Sequence, residues 1–339
     1  MTAEPKPPSV DRDLDEMLFF LMQNMTVSVS GEKLARDLGV SHSKVARWVE
    51  RLRGEGIEIL GEPFTGFRLT RLPDILLPQL VRDRLHTRAF GRTLHHLYRV
   101  DSTNAFAAGL LGGDKPPAHG TVVVAETQTA GRGRMGRSWF STPEAGVYVS
   151  LIFRPKISSN LAPLLTLGAA VAAHNSIERT TGLDVDIKWP NDLLCGGKKI
   201  CGILSELQAE VDRVRAMVIG LGINVNHTEM PEEICRIATS LRMESGRVHS
   251  RIEILLDFLE EFERLYEAFT EDGPSAIIDP WTACSSFAHG KMLEVDDGVR
   301  RIKGATRGLN ALGALRIERS GGVVEEIYSG DVIKWELDS

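Results

Sequence analysis

Hydrophobic positions change their period from one end of the chain to the other. Leu34, Ala35, Leu38, Val40, Val45 and Val49 recur at helical steps on either side of Gly39, which predicts two short helices around a tight turn. Ser41 is placed to cap the second helix. Residues 57–60 and 67–69 then read as two strands of a wing around a turn at residues 63–66, so the segment as a whole reads as a winged helix-turn-helix. Pro73 and Pro78 interrupt the chain, and residues 74–85 read as a connecting helix.

Beyond residue 94, apolar runs of strand length near 94–100, 121–126, 147–153, 184–189, 198–208 and 214–221 alternate with helical periodicity near 102–111, 162–180 and 251–269. That mixture predicts an α+β domain on a mixed sheet. From Phe287 onward, short alternating strands separated by glycine turns predict a small SH3-like β-barrel. The expected division is a disordered start over 1–15, a winged helix over 16–72, a connecting helix within 73–93, a central domain over 94–284 and a barrel over 285–339.

Candidate chemistry begins in residues 126–142, where Arg132, Arg134 and Arg137 are interleaved with Gly131, Gly133 and Gly136. The guanidinium group grips phosphate or carboxylate oxygens in a two-pronged way, and glycine lets the backbone close over the anion. The spacing also fits G-x-G-x-x-G, but residues 127–130 separate strand from glycine, residues 138–143 cannot open a good helix, and no acid follows at the required distance. These features argue against a dinucleotide site, and a repetitive Arg/Gly nucleic-acid segment would be longer. On this loop alone, a solvated surface segment explains the pattern equally well. A second block changes that balance: residues 184–187 alternate like a strand, Lys188-Trp189-Pro190-Asn191-Asp192 breaks it, and after Gly196-Gly197 a strand resumes through Lys199 to Glu206. Asp101-Ser102-Thr103-Asn104 forms a helix start, and residues 220–226 end another apolar run with Gly222, Asn224 and Asn226.

Composition narrows the class further. The chain has 339 residues, 42% of them hydrophobic and 25% charged, enough for two or three domains with full cores. No run approaches the ~18 apolar residues of a membrane span, and the acidic, proline-bearing start lacks a signal peptide's basic and apolar regions. No membrane partner and a cytoplasmic location are expected. Cys195, Cys201, Cys235 and Cys284 show no metal or disulfide spacing. The net charge of −6 argues against a surface that binds nucleic acid all over, yet residues 30–72 carry eight basic and six acidic groups, leaving −8 elsewhere. A module of +2 suits binding as a dimer, in which two copies add their phosphate contacts.

The four blocks stand in the order found in the catalytic domain of biotin protein ligases, which residues 94–338 resemble; with the helix-turn-helix, nearly the whole chain resembles the bifunctional biotin protein ligase and biotin operon repressor family. The resemblance implies that biotin and ATP form biotinyl-5′-AMP, that the biotin then passes to a lysine of the biotin carboxyl carrier protein of acetyl-CoA carboxylase, and that the adenylate-bound homodimer represses biotin genes at an operator. It implies biotin contacts from Ser102, Thr103, Asn104, Gln128, Gly131, Arg132, Gly133, Arg134, Trp139, Lys199 and Gly202, and nucleotide contacts from Arg132, Arg134, Lys188, Asn191, Asp192 and Asn224. Lys199, Arg132 and Arg134 would support the meeting of carboxylate and α-phosphate, with Lys188 orienting phosphates. Asp192 would assist either Mg²⁺, held mainly through the phosphates, or deprotonation of the acceptor lysine. DNA contacts would come from Ser41, His42, Ser43, Lys44, Arg47, Arg51 and Arg68.

Two departures stand out: Met135 where the family's loop often has a further arginine, and His42 where its second helix often begins Ser-Arg. The second puts the operator sequence, and repression itself, in question, so a ligase with a non-regulatory N-terminal domain is the alternative. A biotin sensor without catalysis would not need Lys199 and Asp192. A lipoate ligase of related fold would not need the arginine loop with residues 188–192.

Overall fold

In the computed structural model, which describes residues 12–113, 115–210 and 213–335, the chain begins with three helices and a hairpin. Helices α1 (Arg12–Gln23), α2 (Gly31–Asp37) and α3 (His42–Gly54) bury Leu14, Leu18, Leu34, Val45 and Val49 in one small core. The expected tight turn is present: Gly39 has φ +65°, a left-handed conformation strained for any residue with a Cβ, and Ser41 accepts a hydrogen bond from the Lys44 N–H. Strands β1 (Ile59–Glu62) and β2 (Gly66–Leu69) form the antiparallel wing.

Two expectations need correction here. Residues 12–15 of the expected disordered start are the first turn of α1, with Leu14 and Asp15 buried. Leu14, Met17, Leu18 and Leu21 repeat at helical steps and close the side of the core that two helices leave open. Residues 1–11 lie outside the described residues. The connecting helix over 74–85 shrinks to α4 (Pro78–Arg82). Proline pushes the residue before it out of the helical region, and Leu77 accordingly has ψ 139°. The extended segment ahead of it sends Ile75 and Leu77 into the winged-helix core and Leu76 into the central one.

The central sheet has seven strands in the order β3-β4-β5-β9-β8-β7-β6. They are β3 (Leu94–Val100), β4 (Thr121–Gln128), β5 (Gly146–Phe153), β6 (Asp186–Lys188), β7 (Asp192–Cys195), β8 (Lys198–Glu210) and β9 (Arg213–Asn224). β3 runs parallel to β4 and the other neighbours are antiparallel, so the sheet is mixed as expected. Gly196 and Gly197, both at positive φ, turn β7 into β8. Helix α5 (Thr103–Leu111) packs with Val123, Ile152 and Val218. The main core instead gathers α6 (Ala162–Thr181), α8 (Arg251–Asp272) and α9 (Ser275–Cys284); α7 (Leu241–Ser245) is a short turn after β9. α6 is apolar around most of its circumference, as a helix enclosed by sheet and helices must be.

The C-terminal strands β10 (His289–Asp296), β11 (Arg301–Leu309), β12 (Leu315–Glu318), β13 (Val324–Ile327) and β14 (Asp331–Trp335) form one antiparallel sheet in the order β13-β12-β11-β10-β14. Where the sequence suggests a barrel, β13 and β14 remain outer strands among the described residues. Leu293, Val295, Leu315 and Val332 join the central core, so this sheet packs on the α+β domain and brings β14 toward the edge formed by β6 and β7. Among the described residues, no helix is long and apolar enough to cross a membrane.

Candidate functional site

A cleft of about 1140 Å³ opens where the end of β4, the loop after it, the N-terminus of α5, the β7–β8 hairpin and β14 converge. Apart from Gly131, every ligand residue expected from the sequence lines it. At one end Ser102 caps α5 by accepting from the Ala105 N–H, and the Thr103 N–H donates to Gln128 Oε1 at 2.9 Å. Thr103 Oγ1 donates to the same oxygen at 3.2 Å, while Ser150 Oγ lies within hydrogen-bond distance of both Thr103 Oγ1 and Asn104 Oδ1, at 2.8 and 2.6 Å. The result is a small, preorganised set of polar atoms, suited to a neutral head group with donors and acceptors. Asn104 is braced rather than free: its Nδ2 donates to Leu204 O and Glu206 Oε2 at 3.2 and 2.9 Å.

The floor is flat because three strand positions lack a side chain. A Cβ on Gly222 or Gly202 would lie 2.5 or 2.8 Å from Trp139, and one on Gly220 would lie 2.0 Å from Asn104. Trp139 therefore lies directly on β8 and β9, held by its N–H donating to Gly131 O at 2.8 Å. Its indole Nε1 is buried without a hydrogen-bond partner among the described residues. An unsatisfied donor of that kind costs about 1–3 kcal/mol, which a ligand acceptor would relieve.

Cations collect at the other end. Lys199 Nζ pairs with Asp192 Oδ1 at 2.6 Å and lies 5.5 Å from the centre of the Trp139 ring. Arg134 Nη1 donates to Asn191 Oδ1 at 3.0 Å and to Asp331 Oδ1 at 3.1 Å, and Arg137 pairs with the other oxygen of Asp331. Arg132 is exposed and makes no ion pair among the described residues. Lys188 Nζ sits 4.4 Å from the centre of the Trp335 ring. Burial holds Lys188 below the usual lysine range, and Lys199 and Arg137 add like-charge repulsion against the attraction of Asp192 and Asp331. So many cations around so few carboxylates form a receptor for a polyanion. Asn224, whose Nδ2 donates to Thr239 O at 3.0 Å, fixes the wall formed with Ile234, Ile237 and Ala238.

Sequence reasoning missed that wall and the place of β14 beside it, and it noted Gly220 only as part of the end of an apolar run. Glycine at alternate positions 220 and 222 was a usable signal, because such a pair within a strand marks a close approach. Asp331 had no local signal; its partners lie almost 200 residues earlier.

On the winged helix, Arg47 and Arg68 are exposed and free of ion pairs among the described residues, and Arg51 and Ser43 are also exposed. Lys44 is already engaged, with Asp13 at 2.8 Å and over the Trp48 ring, and Ser41 serves as the cap. His42 is half-buried beneath the wing tip, its ring centre 6.5 Å from that of Phe64.

A second charged cluster ties this domain to the cleft. His96 on β3 bridges Asp15 of α1 at 2.9 Å and Glu126 of β4 at 3.0 Å. Glu126 also pairs with Arg251 at 2.8 Å and accepts from the Leu76 N–H at 2.8 Å; Arg251 continues to Asp74 at 3.0 Å. Burial disfavours the charged His96, but Asp15 and Glu126 outweigh it and push its pKa up to about 9. Burial likewise opposes the Glu126 carboxylate, and Arg251 and His96 outweigh it, bringing its pKa down to about 2.

Comparison with known proteins fits this layout. The biotin/lipoate A/B protein ligase family matches residues 96–224, and an HTH domain matches residues 14–68. The bifunctional ligase/repressor BirA of Bacillus subtilis is 39% identical over 90% of this chain and 93% of its own length. The biotin–[acetyl-CoA-carboxylase] ligase of Mycobacterium tuberculosis is 31% identical over 78% of this chain and 97% of its own. The biotin protein ligase of Aquifex aeolicus, solved with biotin and ATP, superposes with a TM-score of 0.62 at 32% identity, covering 71% of this chain and 97% of that one.

Proposed function

The chain belongs to the family of bifunctional biotin ligase/repressors, and from that premise we propose how its cleft divides the work. The protein is an ATP-dependent biotin protein ligase that also carries a repressor's helix-turn-helix. In the first step a biotin carboxylate oxygen attacks the α-phosphorus of ATP, and the bond to the β-phosphate breaks as pyrophosphate departs. In the second, the acceptor lysine's ε-amine attacks the anhydride carbonyl, AMP leaves with the electron pair, and the amine loses a proton.

Biotin's ureido end is assigned to Ser102, Thr103 and Gln128, with Asn104 bracing them and Trp139, Gly131 and Gly202 enclosing the ring system. Arg132, Gly133 and Arg134 close over the carboxylate and phosphates, Lys199 stabilises the charge developing between them, and Lys188 orients the phosphates. Asn191 and Asn224 line the nucleotide end. Asp192 offers Mg²⁺ a single carboxylate already paired with Lys199, and no cluster of three metal-binding side chains exists among the described residues. Mg²⁺ fits as an ion carried by the ATP phosphates, whose charge it would neutralise. The same pairing leaves Asp192 beside the place where the lysine must lose its proton.

The carrier is proposed to be the biotin carboxyl carrier protein of acetyl-CoA carboxylase, and the location cytoplasmic. A winged helix that begins at Arg12 and runs to residue 72, a connecting segment to 93, a catalytic domain over 94–284 and a C-terminal domain from 285 complete the division. Homodimerisation on adenylate binding has a candidate surface: β7 covers β8 only as far as Gly202, so residues 204–210 pair on one side alone among the described residues. An open strand edge is a template for a second strand.

The observation that carries the ligase reading is the convergence of Thr103–Gln128, Trp139, Arg134–Asn191 and Lys199–Asp192 from separate segments on one cleft. Incubation with ATP, Mg²⁺, labelled biotin and a biotin carrier domain should place label on the carrier's lysine; an unlabelled carrier overturns the assignment. Footprinting on the protein's own biotin-gene promoters should show protection that depends on biotin and ATP. Protection independent of both, or absent, leaves a ligase with a non-regulatory N-terminal domain.

A further inference from the structure

The wing presents a phenyl ring to water. Phe64 is 96% exposed, more than any other large apolar side chain among the described residues. Leaving such a ring in water forgoes roughly 1.5–3 kcal/mol of burial. The turn that does so is pinned at both sides: the Glu62 N–H donates to Thr65 Oγ1 at 3.0 Å, and the Thr65 N–H donates to Glu62 O at 3.1 Å. Pro63 further restricts the backbone.

The tip is also fixed relative to α3, the second helix of the helix-turn-helix. Arg53 of α3 donates from Nε to Ile59 O at 3.1 Å and from Nη2 to Gly61 O at 2.6 Å, clamping β1 to the helix. His42, the first residue of α3, is wedged between α2 and the wing. A Cβ on Gly31 would lie 2.5 Å from its Nε2, and its ring is tilted 36° to Phe64. His42 thus fills the space between α2 and the start of the wing turn. Helix and wing each also carry an exposed guanidinium, Arg47 on α3 and Arg68 on β2.

We propose that Phe64 is a DNA-contacting residue: with α3 in the major groove, the ring enters the adjacent minor groove and wedges against a base step. This rests on the reading of the N-terminal domain as operator-binding. A minor groove about 6 Å wide admits a hairpin tip or a ring but no helix. Apolar wedges are used there to part base steps. Arg47 on α3 and Arg68 on β2, exposed and without ion pairs among the described residues, suit phosphate contacts by the same domain and would disfavour an apolar protein partner.

The test uses the full-length protein with biotin and ATP on its biotin-gene promoters. Phe64→Ala should weaken binding roughly 10- to 100-fold, as removal of one base-stacking aromatic does. Hydroxyl-radical protection in the flanking minor groove should disappear, while adenylate formation stays at the wild-type rate. Because the ring is neutral, the salt dependence of binding should keep its slope, whereas Arg47→Ala should reduce it by about one ion. Phe64→Trp should restore protection. Wild-type affinity and footprint in Phe64→Ala overturn the inference alone, and so does a change in self-association without DNA, which would assign the ring to a protein contact. A wild-type protein that protects no promoter DNA overturns the operator-binding reading as well.

Discussion

The cationic end of the cleft and the chain of charges beneath the winged helix use the same kinds of side chain in opposite ways. In the cleft, Arg134 and Lys199 are 23% and 31% exposed, and their anionic partners are Asp331 and Asp192. At the domain junction, His96 and Arg251 are fully buried and stand between Asp15, Glu126 and Asp74. Ion pairs that water still reaches cost less to rearrange than sealed ones, so these cations can exchange a carboxylate for a phosphate. Buried pairs are different: each charge depends on its partner, and removing one leaves the other stranded in low dielectric. The cleft is thus arranged to be rearranged by its ligand, and the junction to hold α1, β3, β4, α8 and the segment at Asp74 in one register. Glu126 lies two residues before Gln128 on the same strand, so the junction also fixes the strand from which the loop departs.

The sharpest way to break this contrast is to remove one charge from each region. Arg251→Ala should destabilise the protein by about 3–5 kcal/mol, since Glu126 and Asp74 lose their cation while remaining buried or partly so. Denaturant unfolding measures it; a loss no larger than that of a surface variant would show that the junction is not the rigid region. Lys199→Ala should do the reverse. Its unfolding midpoint should barely move, while pyrophosphate exchange falls on the order of a hundredfold, corresponding to ~3 kcal/mol of transition-state stabilisation. Equal exchange rates in mutant and wild type would remove Lys199 from the chemistry.

Titration sharpens the same comparison. The folded protein raises His96 from its ordinary 6.5 to about 9, so its contribution is complete below pH 6.5 and disappears as pH rises through about 9. Glu126 is lowered from 4.5 to about 2, so its contribution is present above pH 4.5 and disappears as pH falls through about 2. Stability from the junction should therefore peak between these limits. Its alkaline limb should flatten in His96→Gln by about 2 kcal/mol, the value of hydrogen bonds to charged groups. Unchanged alkaline unfolding in that variant would refute a charged His96. The smallest effect is expected at the cleft's own clasp. Asp331→Asn weakens the hold on Arg134 and Arg137, which should speed amide exchange over residues 129–142 by about tenfold, or ~1 kcal/mol. With biotin and ATP bound, exchange there should return to the wild-type rate, because phosphates replace the carboxylate. Identical exchange in the free variant would mean that Asp331 does not restrain the loop.

Much of this was legible in local pattern. The turn at Gly39, the cap at Ser41, the strands near residues 121–126 and 214–221, and the blocks around Arg134 and Lys199 depend on backbone preferences and on which residue types suit an anion. Such preferences act within a few residues, so a linear reading reaches them, and four blocks in order were enough to suggest one site. What the pattern could not give was partnership across distance. That Asp331 clasps Arg134, that Asp15 belongs to a helix and reaches His96, and that His42 packs against Gly31 instead of facing fully outward follow from packing between separate segments of the chain. A charged residue looks alike in sequence whether it is solvated or buried beside a counter-charge. Only the tertiary structure decides how far it is from water, and that distance separates the charges that can move from those that cannot.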